Sequence, residues 1–148
     1  MKRCTSLLQP HLLTERNDFM IYYKPITDLT DIKKLFPNEN TDENYIYGGY
    51  IGLNRDGNSI GKIFMKVSGT KCYISSLDCD ISDSLSVEGF IRAALNFCAN
   101  RNAYMAYCVD ERIKSVLLLL GFKENNGIYS GDIPTLLKGS CCKNSGVE

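Results

Sequence analysis

The sequence is poor in the residues that the commonest small-domain chemistries require. Among 148 residues there is one histidine, His11, and no neighbour in the N-terminal stretch orients it as a partner for a nucleophile. The seven cysteines, Cys4, Cys72, Cys79, Cys98, Cys108, Cys141 and Cys142, include no C-x-x-C pair. Four soft ligands at finger-like spacing are therefore lacking, and no metal site is expected. Lys plus Arg and Asp plus Glu both count 17, so the net charge is zero, and no basic run stands out. A partner held by its phosphates needs a basic field, so neither a nucleic acid nor an anionic membrane is expected. No window reaches the roughly 18 apolar residues of a spanning helix. The start "MKRCTSLLQPHLL" is interrupted by Gln9, Pro10 and His11 and does not read as a secretory signal. The expectation is a cytoplasmic protein with reduced thiols, in which Cys72, Cys79, Cys98 and Cys108 are buried.

What is there reads as one domain over 1–148, with an N-terminal arm or helix over 1–18 and a flexible tail over 138–148. Repeats, low-complexity tracts and linkers are lacking. "FMIYYKPI" (19–26) is a strand, and "TDLTDIKKLF" (27–36) a short helix stopped by Pro37. Three strand-like runs follow at 45–54, 59–67 and 72–81, joined by the turns "RDGN" and "SGTK". Asp-Gly at the centre of the first turn is a hairpin signal, and together the runs predict an antiparallel meander.

The period then changes. Val87, Phe90, Ile91, Ala94, Leu95 and Cys98 recur at one face of a 3.6-residue repeat, so 84–101 is an amphipathic helix capped by Ser84 or Asp83. "AYMAYCV" (103–109) is a continuous apolar run, the mark of a strand buried on both faces. Asp110 caps a helix over 111–120, Gly121 ends it, and Phe122 folds back on its last turn. "KENNGIYSGDI" (123–133) is a final hairpin. The class is α/β, in the α+β sense: a mixed, mostly antiparallel sheet flanked by helices.

This β-α-β-β-β-α-β-α-β order, with "SVLLLLGFKENNGIY" as a Leu-Gly-Phe helix end running into a strand, resembles the GNAT-type N-acetyltransferase superfamily over roughly residues 19–135. The resemblance implies acetyl-CoA held between two splayed strands, here 72–81 and 103–109. The peptide-like pantetheine arm would pair with strand backbone. The pyrophosphate would sit on amides at the start of the following helix, where unsatisfied donors and the helix dipole attract anions. By position, the implied cofactor contacts are Leu77, Cys79, Ser86, Gly89, Phe90 and Asp110. The family's phosphate turn is Gln or Arg, two residues, Gly, one residue, then Gly or Ala; Ser86, Gly89 and Ile91 fall there, and only Gly89 matches. Ile91 belongs either in the mouth of the turn or in the buried stripe. Glu88 would set a carboxylate near the pyrophosphate.

The family's usual acid, a tyrosine in the second helix, is Leu117 here. Tyr107 and Tyr129 are the alternative acids, and Asp78 or Asp80 the carboxylates nearest the implied cleft. Two functions follow. One is an acyl-CoA-dependent N-acetyltransferase acting on a small-molecule or peptide amine, with a divergent cofactor turn. The other is a catalytically silent GNAT-fold module for binding or interaction, in which the leucine run 117–120 is covered by a partner, such as a second copy in a homodimer, or simply by its own sheet.

Overall fold

A computed structural model describes residues 20–42 and 44–138. The arm over 1–18, its lone His11, and Cys4, Cys141 and Cys142 lie outside the described residues, as does the tail beyond Lys138.

The chain runs β1 (Tyr22–Ile26), α1 (Leu29–Leu35), β2 (Ile46–Leu53), β3 (Ser59–Ser68), β4 (Lys71–Cys79), α2 (Ser84–Ala99), β5 (Met105–Cys108), a 3-10 turn (Glu111–Ile113), α3 (Lys114–Leu120), β6 (Lys123–Asn125) and β7 (Ile128–Asp132). The strands form one sheet in the order β1-β2-β3-β4-β5-β7-β6. All pairings are antiparallel except β4 with β5. A helical stretch at 133–138 follows β7 directly; the sequence reading had no helix there.

Local chemistry accounts for the joints. Asn54 closes the β2–β3 hairpin by accepting from the amides of Asp56 and Asn58 at 3.0 and 2.9 Å, an Asx turn that leaves Gly57 at φ +83°. Asp28 caps α1 by accepting from the Thr30 amide at 2.9 Å. Gly121 adopts φ +113° and the Phe122 amide donates to the Leu117 carbonyl at 3.0 Å, a left-handed helix stop with its hydrophobe turned inward. The expected second helix is split: Asp110 caps the 3-10 turn, and α3 starts only at Lys114.

The two faces of the sheet are covered unequally. On one face α2 and α3 bury the main core, including the whole predicted stripe Val87, Phe90, Ile91, Ala94, Leu95 and Cys98. At about 1.5–3 kcal/mol per large apolar side chain removed from water, this stripe is a principal source of stability. On the other face α1 packs Ile32 and Phe36 on Ile26 and Phe64. That face stays open further along the sheet, where Tyr73 and Tyr107 stack with ring centroids 5.5 Å apart.

Candidate functional site

The site is built where β4 and β5 part. Their parallel register runs from Lys71↔Met105 to Ile74↔Cys108 and ends there. Beyond Ile74, β4 continues to Cys79 against β3 alone, leaving an opening on its β5 side. A bulge drives the departure. Phe64 pairs with Ser75 and Lys62 with Asp78, so Ser76 and Leu77 together oppose Ile63. Ser76 takes φ +53° to absorb the extra residue. A bulge of this kind bends its strand and re-aims its side chains.

The bulge is held from the α1 side. Ser75 stands opposite Phe64, hence on the α1 face, and its hydroxyl donates to Glu39 Oε2 at 2.7 Å; the Ser76 hydroxyl donates to the same oxygen. Glu39 comes from the loop after α1, and its half-buried carboxylate stands over the first unpaired residues of β4. The sequence reading missed it. Its partners lie 36 and 37 residues away, and no periodicity connects them.

The opposite wall is closed by an arginine. Arg112 Nη2 donates to the Leu77 carbonyl at 2.8 Å and to Asp110 Oδ2 at 2.6 Å. Asp110 also accepts from the Arg112 amide at 3.1 Å, and its bonds to Arg112 hold its carboxyl below the usual range.

At the tip of α2, Asp83 is the cap. Its Oδ1 accepts from the Ser86 amide at 3.3 Å and its Oδ2 from the Ser86 hydroxyl at 2.7 Å, which satisfies this polar group in a buried position. Asp80 accepts from the Ser82 amide and hydroxyl at 3.1 and 2.6 Å. A cavity of about 450 Å³ opens at this tip, between Tyr23, Ile60, Cys79, Asp80, Asp83 and Leu85. Burial, with Asp78, Asp80 and Asp83 around it and Arg112 opposing, pushes the Cys79 thiol up to about 11. It is a thiol at neutral pH and a poor nucleophile.

The residues singled out from the sequence divide between the faces. Asp78 lies on the α1 face, exposed, with a 3.7 Å ion pair to Lys62. Tyr107 shares that face, one residue before the opening, and stacks on Tyr73. Tyr129 is fully buried on the opposite face and donates to Glu111 Oε2 at 2.8 Å. Burial, and then that carboxylate, push its phenol up to about 12. Leu77 and Phe90 are core side chains, and Leu117 is buried beside them. Phe90 meets Tyr23 edge-on at 5.0 Å. Ile91 is fully buried, so of its two expected places it takes the stripe. Glu88 pairs with Arg92 at 3.0 Å along the flank of α2. Gly89 faces Tyr23, whose hydroxyl a Cβ there would overlap. Among the described residues no group of three or more His, Cys, Asp or Glu could hold a metal, and no helix is long and apolar enough to cross a membrane.

A mixed sheet whose fourth strand bulges away from the fifth, ahead of a capped helix, defines a class: the chain has the GNAT fold of N-acetyltransferases. It is similar to GCN5 of Tetrahymena, at 10% identity, 76% of this chain, 96% of that one and a TM-score of 0.53. It is also similar to a GNAT family N-acetyltransferase from Escherichia coli, solved in complex with CoA, at 10% identity, 81% and 84% coverage and a TM-score of 0.53. An N-acetyltransferase from Staphylococcus aureus Mu50 matches at 15% identity, 78% and 99% coverage and a TM-score of 0.53. In sequence, no family model and no curated protein matches the chain.

The fold implies acetyl-CoA, and the two ends of the site answer differently. The unpaired edge of β4 suits an extended, amide-bearing arm. The helix tip suits a diphosphate poorly: Asp83 and Asp80 set two carboxylates there, and Tyr23 covers Gly89.

Proposed function

We propose that the chain is an N-acyltransferase, moving an acyl group from a thioester to a small-molecule or peptide amine at the opening between β4 and β5. The observation that carries this reading is the end of the β4–β5 register at Ile74 and Cys108 while β4 runs on for five more residues. An extended donor can lie along that edge, with main-chain groups orienting its carbonyl. Glu39, at the mouth of the opening on the α1 face, is the base that receives the acceptor's proton; Tyr107, on that face one residue before the register ends, is the acid for the departing thiolate. Asp78, tied to Lys62, is the less suited base.

A second reading, a silent module that keeps the scaffold, is favoured by Arg112. Its bond to the Leu77 carbonyl occupies the edge that a donor arm would use. Leu117, where a tyrosine would serve as acid, points the same way.

The test is thiol release from acetyl-CoA and from S-acetylpantetheine in the presence of a panel of primary amines. The transferase reading expects amine-dependent release with at least one donor. The silent module expects none with either, at millimolar donor.

A further inference from the structure

The tip of α2 is acidic where a nucleotide-bearing donor would need it neutral or basic. Asp83 holds the Ser86 amide and hydroxyl, and Asp80 holds the Ser82 amide and hydroxyl. Those bonds to Ser82 keep the Asp80 carboxyl below its ordinary range, so it is charged at any neutral pH. The cations of the adjoining elements are engaged with other carboxylates: Lys62 with Asp78 at 3.7 Å, Arg112 with Asp110 at 2.6 Å. Gly89, the one residue matching the phosphate turn, is covered by the Tyr23 ring rather than left open to a ligand. A diphosphate brought to this tip would meet the two carboxylates of Asp80 and Asp83. The edge of β4 makes no such demand, since an uncharged pantetheine arm needs only main-chain partners there.

We propose that this site takes its acyl group from a thioester on a pantetheine-type arm that carries no nucleotide diphosphate to the tip of α2. The proposal rests on the N-acyltransferase reading above and narrows its donor. The reaction balances with the two substrates alone. The acceptor nitrogen forms a bond to the acyl carbon, the carbon–sulfur bond breaks with its electron pair on sulfur, and the proton lost by nitrogen ends on the released thiol.

The experiment compares binding of S-acetylpantetheine and acetyl-CoA to the full chain by calorimetry, in the natural sequence and in Asp83→Asn and Asp80→Asn. Asparagine caps a helix about as well as aspartate, so Asp83→Asn removes the charge and keeps the fold. The expected result is S-acetylpantetheine binding at least as tightly as acetyl-CoA. Each substitution should tighten acetyl-CoA by about fivefold, the scale of one unit-charge contact near 4 Å in water, and leave S-acetylpantetheine unchanged. Added salt should strengthen acetyl-CoA in the natural chain by screening the repulsion. Acetyl-CoA binding tenfold more tightly than S-acetylpantetheine, or weakening with salt, would overturn the donor assignment and leave the transferase reading standing. Binding of neither thioester would overturn both.

Discussion

The guanidinium of Arg112 spans the opening between β4 and β5 and donates to the carbonyl of Leu77 at 2.8 Å. That carbonyl belongs to the stretch of β4 without a β5 partner. Arg112 thus does for β4 what a ligand's amide would do, and the two compete. The side chain is about half exposed (54%), so its contribution to stability is small. Arg112→Met is expected to cost about 1 kcal/mol in chemical denaturation, allowing for solvent screening. The same variant should bind S-acetylpantetheine more tightly than the natural chain. Weaker binding in calorimetry would make Arg112 a ligand contact instead of a competitor.

Gly89 and Tyr23 form a second close pair, and here stability is the readout. A Cβ at 89 overlaps the Tyr23 hydroxyl, whose ring also packs on Phe90. Gly89→Ala should destabilise by about 1–3 kcal/mol, as overpacking does in a filled core. Tyr23→Phe removes the overlapping oxygen along with a 3.4 Å bond to the Ser86 carbonyl. The double variant should therefore recover part of the loss. Strict additivity in a denaturation cycle would mean that the two positions do not meet.

These two pairs also mark what the sequence could disclose. The stripe from Val87 to Cys98 was legible because burial against a sheet imposes the 3.6 period on one short segment. The Gly121–Phe122 stop and the Asn54–Asn58 turn were legible for the same reason: each is decided by adjacent residues. For Ile91 the sequence offered both the stripe and the phosphate turn, and its burial in the fold decides for the stripe. Glu39 on Ser75 and Ser76, Tyr23 over Gly89 and Arg112 on Leu77 join residues 35 to 66 positions apart. Such contacts are fixed by sheet order and by the bulge at Ser76, and neither leaves a periodic trace. The resemblance therefore pointed to the opening between β4 and β5, and the candidate residues around it emerge only from tertiary contacts.

Glu39 supplies the sharpest functional prediction. Glu39→Gln retains the length and an oxygen for Ser75 and Ser76 but cannot accept a proton from the acceptor. Turnover should fall by about a hundredfold, in the range of a lost general base. Asp78→Asn, which removes only an exposed ion pair, should leave turnover within about twofold. Equal losses in the two variants, measured as kcat/KM with unfolding curves as control, would remove the distinction between the two carboxylates.

Alkaline pH tests the buried phenols. Tyr129 is raised to about 12 by burial and then by its bond to Glu111, and Tyr23 to about 12 by burial and then by Cys79 and Asp83. An unfolded tyrosine titrates near pH 10. The folded state thus favours the protonated phenol. The resulting stability is fully present below about pH 10 and is lost as pH rises from there through about 12. Cys79 and Cys108, both raised to about 11 by burial, extend the same decline downward toward pH 9. Unfolding temperatures should fall steadily across this window. A flat profile to pH 12 would contradict the burial assigned to these groups.

The central claim is that an extended thioester arm lies along the unpaired edge of β4. Amide chemical shifts measured during titration with S-acetylpantetheine test it most directly. The account predicts saturable shifts at Ser76, Leu77 and Cys79 and across the opening from Cys108 to Arg112, with β1 and β6 unmoved. Saturable shifts confined to other elements, or none at millimolar thioester, would contradict it.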